Sequence, residues 1–199
     1  MLSRLSPYWL WLLLSVPALG MTTALLGDDA RAFHRLLHPT GEFAARFMII
    51  SMMATPLLYL TKGAGWARWL KANRRYFGLA AFFYAALHTY VYLVDKGSLS
   101  NVLAQATHLD MFAGWVALLV FIPLAATSTD RAVRWLGTWW KPVQRLTYLA
   151  AAATLLHWAA LHGWTGWPPA LVHFAPLAVL TVYRLWWVYL RQRPSRPAV

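Results

Sequence analysis

Two histidines lie inside apolar segments of membrane-crossing length: His88 in YFGLAAFFYAALHTYVYLV and His157 in LTYLAAAATLLHWAALHGW. An ionisable side chain is costly inside a bilayer, which marks each as a functional candidate by default. His88 follows Arg75 by 13 residues and His157 follows Arg145 by 12. At a helical rise of about 1.5 Å per residue, both imidazoles sit about 18–20 Å in from one membrane face. Two axial ligands of one haem iron need that matched depth, with one ring from each side. Either histidine alone reads equally well as a core residue bonded to a neighbouring hydroxyl or carbonyl. The agreement in depth favours the ligand pair.

The elements that must position these rings follow from composition. Of 199 residues, 60% are apolar and 12% charged, outside the range of ordinary soluble domains. Charge-free runs and turn signals predict an all-α, six-helix transmembrane bundle with spans at about 7–27, 43–61, 75–95, 109–128, 143–162 and 170–190. These form one domain over 1–190, with a basic tail at 191–199. The net charge of +12 is not spread as nucleic-acid binding would require. Thirteen of the 18 basic residues lie in Arg4, in the loops holding Lys62 to Arg75 and Arg131 to Arg145, and in the tail. Five of the six acids, Asp28, Asp29, Glu42, Asp95 and Asp110, lie on the other side. The positive-inside rule then predicts both termini in the cytoplasm and both histidines in the outer half of the bilayer.

Residues 1–20 resemble a signal peptide at Arg4 and Ala18-Leu-Gly20, but the 23-residue uncharged run predicts an uncleaved first span. The tail arginines Arg191, Arg193 and Arg196 read as contacts to anionic membrane lipid. Without cysteine, iron–sulfur clusters and thiolate-ligated haem are excluded, and histidine is left as the main metal ligand.

A b-type haem also needs an apolar slot and a partner for its propionates. Gly78, Ala81, Ala85, Ala86 and Ala150 to Ala153 suit the slot, although small residues equally serve close helix packing. Arg46, opening the second span, reads either as a propionate partner or as a snorkelling anchor. Arg184, inside the sixth span, reads as a holder of an anionic head group, a quinone or a flavin phosphate, or as a side chain reaching the interface. His34, His38, His108, His162 and His173 fall in outer loops or helix ends; His34 and His38 have the i,i+4 spacing of a metal pair but lack a third ligand.

From residue 38 to 190 the chain resembles the MsrQ (YedZ) family, the membrane haem subunits of MsrPQ methionine sulfoxide reductase systems, within the ferric-reductase-like transmembrane proteins. The resemblance rests on Thr40-Gly41, Thr55-Pro56-Leu57, Arg74-Arg75, Gly78-Leu79, Leu87-His88, Thr127-Ser-Thr129, Leu136-Gly137, Trp140, Tyr148-Leu149 and His157 in that order. It implies a multi-pass protein of the bacterial inner membrane carrying haem b, with His88 and His157 as axial ligands. It further implies that electrons come from the quinone pool or a cytoplasmic flavin reductase. They leave for a periplasmic molybdenum-cofactor reductase of the MsrP type. Flavin mononucleotide is an implied further cofactor, with no residue here identifying its site.

One departure bears on stoichiometry. The family pattern has a histidine 13 residues before His157, where this chain has Gln144. Neutral glutamine is a poor ligand for haem iron, so one haem is expected rather than two. Gln144 reads instead as a hydrogen-bond donor to a quinone or flavin carbonyl, or as a cap on the helix start after Pro142. Two other functions compete with the electron-transfer subunit. A stand-alone ferric or cupric metalloreductase would use the outer histidines to capture its substrate. A cofactor-free transporter or scaffold would line a path across the membrane with polar groups.

Overall fold

The computed structural model describes residues 7–23 and 31–191. Arg4, Asp28, Asp29, the close of the first expected span and the tail beyond 191 lie outside the described residues. Among the described residues all regular structure is helical: α1 Pro7–Thr23, α2 Ala32–Leu60, α3 Gly65–Lys96, α4 Leu99–Ala106, α5 Leu109–Ala126, α6 Asp130–Leu136, α7 Trp140–Arg145, α8 Thr147–Trp164 and α9 Trp167–Trp186. A 3-10 turn, Gly137–Trp139, joins α6 to α7, and a π turn, Trp187–Arg191, follows α9. Four segments, Ala32–Leu60, Gly65–Lys96, Leu109–Ala126 and Trp167–Leu190, are long and apolar enough to cross a membrane. The protein is thus a multi-pass membrane protein. The outward faces are apolar and exposed, as at Leu13, Leu119 and Val179, which lipid solvates and water does not.

Two antiparallel hairpins build the bundle, α2 along α3 and α5 along α8, with α9 packed on α2 and α8. Local chemistry sets the turns. Gly97 ends α3 in the left-handed region at φ 68°, and its N–H reaches the carbonyls of Leu93 and Val94. Ser98 caps α4 by accepting from the Asn101 N–H, and Thr129 caps α6 by accepting from Ala132. The backbone of α8 leaves helical geometry at Leu161, His162 and Gly163, where the chain reverses into α9. A Cβ on Gly166 would collide with the Trp158 carbonyl oxygen, so that reversal requires glycine.

Several boundaries differ from the sequence expectation. Helix α2 begins 11 residues before position 43, because Pro39 sits inside a helix whose neighbouring Thr40 hydroxyl bonds back to the Leu36 carbonyl at 2.6 Å. Helix α3 begins at Gly65, ten residues before Arg75, carrying the basic stretch as a helical extension rather than a loop. The short helices α4, α6 and α7 occupy segments read as loops or as the start of the fifth span.

The charges sort to two ends. Glu42, Asp95 and Asp110 mark the acidic end, where α2 and α5 start and α3 finishes; Arg74, Arg75, Arg131, Arg134 and Arg145 mark the basic end. At the basic end Arg75 donates to Asp130 at 2.7 Å, tying α3 to α6. That guanidinium holds the exposed Asp130 carboxyl below its ordinary range, first through the hydrogen bond and then through charge.

Candidate haem site

The site grows from a device used twice. On α2, the Leu37 carbonyl lies 2.9 Å from His88 Nδ1, and four residues on, Gly41 leaves the space the ring fills. On α5, the Asp110 carbonyl lies 2.7 Å from His157 Nδ1, and four residues on, Gly114 does the same. A Cβ at Gly41 would stand 3.1 Å from His88 Cε1, and one at Gly114 would stand 2.9 Å from His157 Nδ1. Because residues i and i+4 stack on one helix face, a carbonyl and a glycine at that spacing form a seat for one imidazole.

A carbonyl can only accept, so each Nδ1 carries the proton and each Nε2 keeps a free lone pair. A hydrogen bond on the remote nitrogen fixes the tautomer and ring orientation of a metal-ligating histidine. The buried Thr40 hydroxyl, 3.1 Å from His88 Nδ1, adds a second contact on that ring.

The two rings face one another across the junction of the hairpins, their centroids 6.2 Å apart and their planes at 72°. Two metal–nitrogen bonds of about 2 Å, with about 1.1 Å from each nitrogen to its ring centre, place the centroids of a bis-imidazole complex about 6 Å apart. Around the rings lies a cavity of about 360 Å³, walled by Ala44, Ala45, Ala85, Ala117, Leu118 and Phe121 and lined at the acidic end by His34, Asp95 and Lys96. Such a volume lies within the range of small-molecule and cofactor pockets. Inside it Tyr92 keeps a buried hydroxyl with no hydrogen-bond partner among the described residues. Paired lone pairs, ring seats, apolar walls and an orphaned hydroxyl fit an iron porphyrin.

The remaining candidates stand elsewhere. Arg46 is not among the cavity's walls; it donates to Glu42 at 2.5 Å and to His173 Nε2 at 3.3 Å. Gln144, on α7, donates to Thr127 Oγ1 at 2.9 Å and to the Leu124 carbonyl at 3.3 Å. With Trp140, which donates to the Thr127 carbonyl, it satisfies the carbonyls left over at the end of α5 instead of capping its own helix. Arg184 donates to the Tyr148 hydroxyl at 2.7 Å, joining α9 to α8 at the basic end. His34 turns to Asp95 and His38 to Glu42, so the i,i+4 pair points to two different partners. Among the described residues no group of three or more histidine, aspartate or glutamate side chains is placed to hold a metal ion.

Sequence reading missed the seats. Nothing distinguishes Leu37 and Asp110, whose backbone carbonyls do the work. The usable signal was a glycine inside an apolar, membrane-length segment, at Gly41 and Gly114.

This bundle, with facing intramembrane imidazoles at a hairpin junction, defines a ferric-reductase-like transmembrane component, and the family of that description matches residues 40–155. The chain is also similar to proteins named Protein-methionine-sulfoxide reductase heme-binding subunit MsrQ from Brucella ovis, Brucella canis and Brucella suis. Each is 36% identical over 202 aligned positions, covering 96% of this chain and 86% of the relative. The chain therefore belongs to the MsrQ family of ferric-reductase-like transmembrane proteins. No solved structure matches it.

Proposed function

We propose that the chain is the haem-binding, electron-transferring membrane subunit of a methionine sulfoxide reductase. One b-type haem is held between His88 Nε2 and His157 Nε2. The observation that carries this reading is the pair of rings 6.2 Å apart, each tied by Nδ1 to a backbone carbonyl of the facing helix. The haem, when bound, supplies a one-electron couple. The chain's residues do the rest: the Leu37 and Asp110 carbonyls aim the rings, Gly41 and Gly114 admit them, and Phe121 with its alanine neighbours keeps water from the macrocycle. Were His88 and His157 both to hold the iron, no position would be left on it for substrate, and reduction of methionine sulfoxide would belong to a partner subunit.

The charge asymmetry between the two ends supports orienting the basic end to the cytoplasm and the acidic end to the periplasm, in a bacterial inner membrane. The haem then lies on the side of a periplasmic catalytic subunit of the molybdenum-cofactor type. Electrons from the quinone pool or a cytoplasmic flavin reductase must cross the inner half of the bundle first. A flavin mononucleotide or a quinone near Gln144 and Arg184 is the carrier proposed for that half. Arg46 neutralises Glu42 beside the haem cavity.

The test is an oxidised and a reduced absorption spectrum of the detergent-purified protein, with haem, flavin and quinone counted per chain. One low-spin haem per chain is expected, lost in both His88→Ala and His157→Ala while the protein still inserts. A low-spin haem retained by both variants would overturn the assignment. Protein carrying haem alone, and still reduced readily by an inner-face donor, would remove the second carrier.

A further inference from the structure

The acidic-end mouth of the cavity holds an unusual pairing. Tyr92 is one helical turn beyond His88 on the same face of α3, and the residue is 9% exposed. Its hydroxyl touches no partner among the described residues. A buried, unsatisfied hydroxyl costs free energy unless something absent completes it. Lys96 stands one turn further and lines the same cavity, with its ammonium 5.7 Å from the Tyr92 ring centre. It makes no ion pair among the described residues. At about 1.5 Å per residue, the Cα atoms of these two residues lie about 6 and 12 Å beyond that of His88 along the helix axis, and side chains on a helix lean back toward its N-terminus, here toward the His88 ring.

The acids nearby are already engaged. Asp95 lies 3.3 Å from His34 Nδ1, Glu42 pairs with Arg46 and lies 3.3 Å from His173 Nε2, and the Asp110 carboxylate, which accepts from the Met111 N–H at 2.8 Å, is held on its own backbone while its charge still reaches Tyr92. What is left at the mouth is one hydroxyl donor and one cation, the complement of a carboxylate.

We infer that Tyr92 Oη and Lys96 Nζ form the propionate clamp of the haem, fixing the macrocycle's rotation with its carboxylates toward the acidic end. This rests on the haem reading of His88 and His157. The clamp acts on the carboxylates and not on the iron, which separates it from ligation. Purified full-length protein, Tyr92→Phe and Lys96→Met are compared after loading with haem b or with its dimethyl ester, in which both carboxylates are masked. Haem loss is followed by transfer to apomyoglobin.

Each substitution should speed loss of haem b about tenfold, as removal of a hydrogen bond to a charged group does, with a low-spin spectrum retained. Loss of the ester, whose carbonyls accept only weaker, uncharged hydrogen bonds, should be accelerated far less by either substitution. Equal acceleration for both porphyrins, or none for haem b, would overturn the clamp. A parent protein lacking low-spin haem would instead overturn the reading beneath it.

Discussion

At the scale of single residues, the glycines under the imidazoles invert an ordinary rule. Alanine in place of a helical glycine stabilises a helix by about 1 kcal/mol. Here the added carbon would lie 2.9 Å from His157 Nδ1 at position 114 and 3.1 Å from His88 Cε1 at position 41. A ring pinned to a carbonyl at 2.7 Å has little freedom to retreat. Gly114→Ala should therefore raise helix stability yet lose haem at least tenfold faster, with partial conversion to a high-spin spectrum; this estimate takes loss of seating as about 1.4 kcal/mol or more. Gly41→Ala should do the same more mildly. A Gly114→Ala protein with unchanged haem loss and spectrum would show that the ring has room the structure does not give it. That His88 and His157 come together was legible because residue type and depth carry the signal. Their seats were not, because a backbone carbonyl has no letter in the sequence.

At the scale of elements, the expected spans marked where helices cross, and missed where they extend. Charge-free runs locate lipid, but a helix continues into charged sequence if its hydrogen bonds continue, as α3 does from Gly65 through Arg74 and Arg75. Gln144 shows the same limit: on sequence it could cap its own helix, and only packing reveals that it closes α5. Packing between elements also holds α1, which carries Pro17. The Tyr84 hydroxyl donates to the Leu14 carbonyl at 2.9 Å and accepts from the Ala18 N–H at 2.8 Å. It thus inserts into the rung where α1 would bond to itself, and fastens α1 to α3. Tyr84→Phe should lower stability by about 1–2 kcal/mol and raise protease access to α1, with haem retained. A thermal melt followed by tryptophan fluorescence, beside haem absorbance, separates the two. Coincident loss of haem would contradict an independent role for α1.

A second element-scale expectation concerns the Arg75–Asp130 tie. The Asp130 pKa is depressed, so its contribution is present above the unfolded carboxyl's ordinary value and lost as pH falls through the lower folded value. Asp130→Asn should therefore melt below the parent at neutral pH, and the difference should close under acid. Both groups are at the surface, so the neutral-pH difference should be small and shrink with salt. A gap that persists in acid would mean that the carboxylate charge is not what joins α3 to α6.

At the scale of the whole molecule, orientation decides function, because the single haem proposed near one end could serve a partner only on that side. The acidic end holds Glu42, Asp95 and Asp110 beside Arg31, Arg35, Arg46 and Lys96, and the basic end holds most of the arginine and lysine of the described residues with Asp130 as its acid. Moving such loops outward is disfavoured during insertion. The chain has no cysteine, so an introduced thiol reports its side without background. Ser100→Cys on α4 probes the acidic end and Thr138→Cys, in the turn before α7, the basic end; both positions are exposed. In intact spheroplasts a membrane-impermeant maleimide should label Ser100→Cys at once and Thr138→Cys only after the membrane is opened. The reverse pattern would turn the haem toward the cytoplasm. It would then stand beside the proposed electron donor, with the long inner path shifted to the acceptor side, and a periplasmic reductase could no longer draw electrons directly from a haem held by His88 and His157.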